Sequence, residues 1–166
     1  MILTVKNCKD SSFKSFVIDS VNYYLSEILS SAILKNIKVT IKFVSKTKDY
    51  GSTLVTGKNK SNKAREFLVE IKKNMNARVT LETLAHEMVH VKQFALGELN
   101  ETVEKWKGEK INKDKIDYHF YPWEIEANGI SYGLFFKYCV KYELWDIFND
   151  IENPFEFYQQ KNIWKT

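Results

Sequence analysis

Residues 80–97, TLETLAHEMVHVKQFALG, constrain this chain more than any other stretch. Leu81, Leu84, Met88, Val91 and Ala95 recur every three or four positions, which is the spacing of one apolar stripe on an α-helix. Thr80 reads as the N-cap, Glu82 puts negative charge in the first turn, and Gly97 is a natural stop. His86-Glu87-Met88-Val89-His90 is the pattern H-E-x-x-H, and its His86, Glu87 and His90 lie off the stripe. Residues four apart stand one turn above each other, so the two imidazoles project from the same side and can reach one metal ion. Glu87 falls on the adjoining flank, where a carboxylate reaches a metal-bound water rather than the metal. The plainer alternative is an amphipathic helix that carries two histidines by chance. The chain has three His in 166 residues, and the helix is marked at both ends, so the metal reading is the stronger one.

Composition bounds the rest. A chain of 166 residues with 44% hydrophobic side chains is most simply a single domain, over residues 1–166, with a substantial core. The net charge of +4 permits an acidic partner such as nucleic acid without indicating one. Cys8 and Cys139 are too few and too far apart for a disulfide framework or a cysteine zinc site. Neither a leader pattern at the N-terminus nor an apolar run long enough to span a bilayer is present, so the expected setting is a monomer in a cytoplasm, away from membranes.

The order of elements points to an α+β fold. Residues 2–5 suit a short strand, and Asp10-Ser11-Ser12 opens a long packing helix whose apolar period runs from Phe13 to about Leu34. Ile37, Val39, Ile41 and Phe43 then alternate with polar residues as in a half-buried strand, followed by strands over residues 52–56 and 67–71. The turn between these two carries Lys58, Lys60, Lys63 and Arg65 with no interleaved aromatics, so it reads as a solvated hairpin tip. Beyond Gly97, residues 102–106 and 109–111 flank Lys107-Gly108 as a small surface hairpin. A helix beginning at Pro122 is expected to run to Trp145, with Gly129 and Gly133 leaving a smooth face for another backbone. Asn153-Pro154 opens a short final helix.

Two imidazoles do not complete a catalytic zinc site, which ordinarily has three protein ligands and one open position. The available third ligands are His119, the remaining histidine, and Glu124 and Glu126 at the start of the downstream helix. Glu124 and Glu126 point about 200° apart on a helix, so one metal can take only one of them. Glu124 shares a face with Asn128, which could accept the proton of a ligating imidazole's second nitrogen and hold that ring, whereas Glu126 is followed at the same spacing by Ile130. Donors for a developing oxyanion are Tyr118, His119, Tyr121 and Tyr132.

His86-Glu-Met-Val-His90 followed by Glu124-Ile-Glu-Ala-Asn128 resembles the small zinc metallopeptidases of the gluzincin type, and most closely the compact SprT-like and phage-encoded ones. The resemblance implies a minimal zincin-like core: an N-terminal helix, a small mostly antiparallel sheet, the H-E-x-x-H helix and a downstream helix that bears the ligand. It further implies Zn²⁺ held by His86, His90 and Glu124, Glu87 as general base, and a peptide or protein substrate laid as an added strand on the sheet edge. It also favours Glu124 as the ligand, four residues before an Asp or Asn. A metal-stabilised binding module, associated with nucleic acid and lacking hydrolysis, is the alternative. The intact Glu87 speaks against it, because a structural zinc gains nothing from a base.

Overall fold

The computed structural model describes residues 1–145. Strand β1 (Ile2–Lys6) leads into α1 (Ser11–Ile28), whose first turn is closed by Asp10 accepting from the Phe13 amide at 2.7 Å. A short helix α2 (Ser31–Leu34) follows, then β2 (Lys38–Val44), β3 (Gly51–Lys58) and β4 (Ala64–Lys72). The long helix α3 (Ala77–Leu96) is succeeded by the hairpin β5 (Lys105–Trp106) and β6 (Glu109–Lys110), and then by α4 (Pro122–Lys141).

The helix expected over residues 13–34 is two helices. Leu29 is extended, with φ −124° and ψ 142°, while its side chain stays buried and its amide still reaches the Leu25 carbonyl. Ile33 and Leu34 pack against the same core as α1, so the apolar period runs on across a break that side-chain spacing does not register.

The main sheet has the order β1-β2-β4-β3. It is mixed rather than mostly antiparallel: β1 pairs parallel with β2 and β2 parallel with β4, and only β3 with β4 is antiparallel. Alternation along β2 reports that one face is buried, not which way the neighbouring strand runs. Direction comes from the connections, since α1 carries the chain back between β1 and β2, and β3 passes to the edge before β4 returns beside β2. The covered face supplies Val39, Ile41, Phe67, Val69 and Ile71 to the core. The open face carries the cross-strand pairs Lys38–Glu66 and Lys42–Glu70.

Helix α3 begins one turn earlier than expected. Asn76, not Thr80, is the cap and accepts from the Val79 amide at 2.8 Å. Thr80 lies buried inside the helix with its hydroxyl donating to the Asn76 carbonyl, so Glu82 falls beyond the first turn. At the far end Gly97 adopts φ 76°, and the amides of Gly97 and Glu98 close on the carbonyls of Phe94 and Gln93. The stripe residues Leu81, Leu84, Met88, Val91 and Ala95 are all in the core, packed against α1, α4 and the sheet.

The hairpin turns through Lys107 and Gly108, both at positive φ. Helix α4 starts at Pro122 as its sequence predicts but stops at Lys141, where Glu143 takes φ 52° and the Leu144 amide reaches back to the Cys139 carbonyl. Gly129 and Gly133 are exposed, with nothing among the described residues near where a Cβ would be, so no backbone approaches the smooth face expected of them. The final helix expected from Asn153 lies outside the described residues. No helix among the described residues is long and apolar enough to cross a membrane.

Two glycines separate backbone strain from space. A Cβ at Gly97 meets nothing, so Gly97→Ala should cost only the left-handed strain, about 1 kcal/mol of unfolding free energy in denaturant titration. Gly129→Ala, in an open stretch of helix, should instead stabilise by up to about 1 kcal/mol.

Candidate metal centre

The geometry of α3 puts the His86 and His90 rings on one side, with their Nε2 atoms 3.0 Å apart. The first turn of α4 faces them. Pro122 sets the start of that helix, and the Glu124 carboxylate lies 3.3 Å from His86 Nε2 and 3.6 Å from His90 Nε2. These three residues are the group among the described residues able to hold a metal ion. A tetrahedral ion with bonds of about 2.0–2.1 Å keeps its ligand atoms about 3.3–3.4 Å apart; the imidazoles at 3.0 Å, and Glu124 Oε2 to His86 and Oε1 to His90 at 3.3 and 3.6 Å, lie around that value. The donor set of two imidazoles and a carboxylate suits zinc chemistry.

Glu126 points elsewhere. Its carboxylate takes Lys92 Nζ and Gln93 Nε2, each at 3.1 Å, with Lys107 Nζ at 3.5 Å. Burial would raise the Glu126 pKa, but the Gln93 and Lys92 hydrogen bonds hold it below the usual range. Burial also opposes the charge on Glu124, yet hydrogen bonds from His86, His90 and Tyr118 hold its carboxyl well below that range, so it is an anion. For His90, burial disfavours the charged ring, and the Glu124 carboxylate, Glu87 and Gln93 together outweigh it and raise the pKa.

The ring of His90 is oriented by Gln93, one turn along the same helix. His90 Nδ1 lies 2.8 Å from Gln93 Oε1, while Gln93 Nε2 donates to the Trp123 carbonyl at 2.9 Å and to Glu126. With its NH₂ committed to two acceptors, the Gln93 oxygen must face His90. That makes Nδ1 the protonated nitrogen and leaves Nε2 free for a metal. The sequence reading gives this task to Asn128. Asn128 does share the Glu124 face of α4, but it is exposed, lines the cleft beside His86, and makes no hydrogen bond to either imidazole among the described residues.

Glu87 is buried, and two residues of β3 seat it. Thr53 Oγ1 donates to Glu87 Oε2 at 2.7 Å, and at Gly51 a Cβ would stand 2.6 Å from Glu87 Oε1, so only glycine lets the strand come this close. Burial pushes the Glu87 pKa up, against the pull of His90, Thr53 and His86. Gln93 was discoverable from sequence, three residues after His90 on the same helix. Thr53 and Gly51 carry no local signal.

Of the four residues named as oxyanion donors, Tyr118, itself 56% exposed, borders both cavities at the cluster. Burial and then the negative charge and hydrogen bond of Glu124 raise the pKa of its hydroxyl, which stays protonated. His119 is exposed and outside the cluster, Tyr121 spends its hydroxyl on the Lys113 carbonyl at 3.3 Å, and Tyr132 is 68% exposed on the outside of α4. Two cavities meet at Glu87 and Tyr118. One, of ≈ 570 Å³, runs past His86 between Tyr50 and Asn128; the other, of ≈ 340 Å³, lies beside His90. The basic turn after β3 is away from both cavities, and its Lys58 pairs with Glu101 at 2.7 Å.

Gln93→Leu should weaken Zn²⁺ binding about 10–100-fold, measured by competition with a chelator, while Asn128→Ala leaves it unchanged. Because the His90 pKa is raised, its ring carries a proton at lower pH that a metal must displace. Calorimetry in buffers of different ionisation enthalpy should therefore find about one proton released per metal bound below the raised His90 pKa, falling to none well above it, with affinity rising over the same interval. In comparisons with family models, with curated proteins and with solved structures, nothing matches the chain.

Proposed function

We propose that the chain is a zinc-dependent metallopeptidase, with His86, His90 and Glu124 as ligands and Glu87 as general base. The observation that carries this reading is the setting of Glu87: a carboxylate only 4% exposed, held by Thr53 rather than by a cation, beside a three-residue ligand group that faces a cleft. A structural zinc is ordinarily closed by four protein ligands and has no use for a neighbouring base. A metal-stabilised binding module without hydrolysis would leave Glu87 without a role.

When bound, zinc supplies Lewis acidity, which makes a water more acidic and polarises a carbonyl. Glu87 accepts a proton from the water that attacks the scissile carbonyl and returns it to the departing amine as the C–N bond breaks. The protonated Tyr118 hydroxyl is the donor available to the carbonyl oxygen as negative charge develops on it. Strand β3 is an edge strand, and its Gly51, Ser52 and Thr53 border the cleft, so an extended substrate can pair with its free side. These features agree with the resemblance of the H-E-x-x-H helix and the Glu124–Asn128 segment to gluzincin-type and SprT-like peptidases.

Glu87→Gln separates the base from the ligands. The variant should keep its zinc and its melting temperature and lose peptide hydrolysis by about 10²-fold or more. Equal hydrolysis by the wild type and Glu87→Gln, or a wild type without activity on any peptide or protein tried, would overturn the proposal.

A further inference from the structure

The outward side of α4 is apolar along most of its length. Ile125, Tyr132, Phe136 and Val140 are each between 46% and 68% exposed. With Gly129 and Gly133 in the gaps, they recur every three or four residues and make one continuous stripe. Among the described residues nothing lies where a Cβ at either glycine would stand. The Tyr132 and Phe136 rings lean on each other, with centroids 6.4 Å apart, and Phe136 also meets Trp145 at 5.5 Å. The other side of the helix buries Trp123, Ala127, Leu134, Phe135, Tyr138 and Cys139. A helix apolar on both sides is ordinarily covered on both.

The order of residues along the stripe describes its cover. The stripe is symmetric about the point between Tyr132 and Gly133: Ile125 and Val140 lie equally far from that point, and so do Gly129 and Phe136. When two copies of α4 run antiparallel about a two-fold axis through it, Phe136 of each copy comes level with Gly129 of the other, and Ile125 with Val140. The bulky ring thus meets a position without a side chain, and the glycines let the two backbones come close. Charge agrees with this direction. Lys137 comes level with Asn128, and Lys141 with the first turn of α4, so no lysine meets its own counterpart. A parallel pair would bring Lys137 level with Lys137 and Phe136 level with Phe136. The stripe exposes on the order of 500 Å² per copy, large for a single patch on a monomer and just short of the roughly 600 Å² per partner at the low end of specific interfaces. That area suits a reversible pair with a Kd on the order of micromolar rather than an obligate one.

We propose that the outer stripe of α4 is a self-association surface, on which two copies of this chain pair through antiparallel α4 helices with the two-fold axis between Tyr132 and Gly133. Glu124 points about 130° around the helix from the middle of the stripe, so the pairing stands apart from the metal cluster and does not depend on the proposed activity. The pair departs from the monomer expected from the sequence.

Sedimentation equilibrium of the full chain, over concentrations that span the micromolar range, should pass from one copy to two. Gly129→Leu exchanges a poor helix former for a good one and adds apolar surface, so the single chain should melt no lower and an unfitted, merely sticky patch would associate more strongly; the fitted pair should instead weaken about tenfold or more. In a Cys8→Ser background, Tyr132→Cys places its sulfur beside the axis and should cross-link to its own counterpart under oxidised glutathione. Ile125→Cys leaves the two sulfurs about 22 Å apart along the helices and should not cross-link. A wild type that stays single throughout the range would overturn the proposal, whatever else covers the stripe. Pairing by Gly129→Leu as tight as that of the wild type would overturn the fit of ring to glycine, and cross-linking of Ile125→Cys as readily as Tyr132→Cys would overturn the antiparallel arrangement.

Discussion

Most of the structure follows from the burial of polar groups on α3. This helix is covered along most of its length, and its buried positions include Glu87, His90 and Gln93 as well as the apolar stripe. A buried carboxylate, imidazole or amide is tolerable only with partners, and α3 by itself supplies just the contacts of His90 with His86 and Gln93. The others come from two separate elements: Thr53 from the edge strand β3, and Glu124, Glu126 and the Trp123 carbonyl from the N-terminal part of α4. The edge strand and α4 are therefore held against α3 by the groups that make up the candidate site, not by apolar packing alone.

The two carboxylates of α4 divide the work. Glu124 faces the imidazoles, and the positive end of the helix dipole favours its charge. Glu126 lies around the helix and gathers Lys92, Lys107 and Gln93 into a network on the far side of His90. Through Gln93 that network reaches the ring of His90, so the residue that does not face the metal position still helps to fix the tautomer of one that does. Two groups separated by one residue thus end as candidate ligand and as support, which is the consequence of a helix turning by about 100° per residue.

The one-sided sheet explains why the cleft is open. Helices cover a single face, the other presents exposed charge pairs, and β3 is left at the rim with one side unpaired. Gly51 permits that rim to approach α3 more closely than any residue with a side chain would, and the cleft forms where β3, α3 and the segment before α4 converge.

His86, Glu87 and His90 were legible because the pattern that places them is local: a marked helix fixes the relative direction of residues four apart whatever surrounds it. That Glu124 and Glu126 could not both face the imidazoles was legible for the same reason, but the preference for Glu124 rested on Asn128 and on the resemblance, and it is the docking of α4 on α3 that brings Glu124 to the histidines. Local pattern also misled. The apolar period ran across the break at Leu29, the alternation along β2 described burial without giving strand direction, and the shared face of Glu124 and Asn128 did not reveal that a residue of α3 would reach His90 first. Thr53 and Gly51 had no signature at all. Their positions depend on β4 inserting between β2 and β3, a pairing between residues far apart in the chain. Spacing along the sequence decides which way a side chain points on its own element; only long-range packing decides what it meets there.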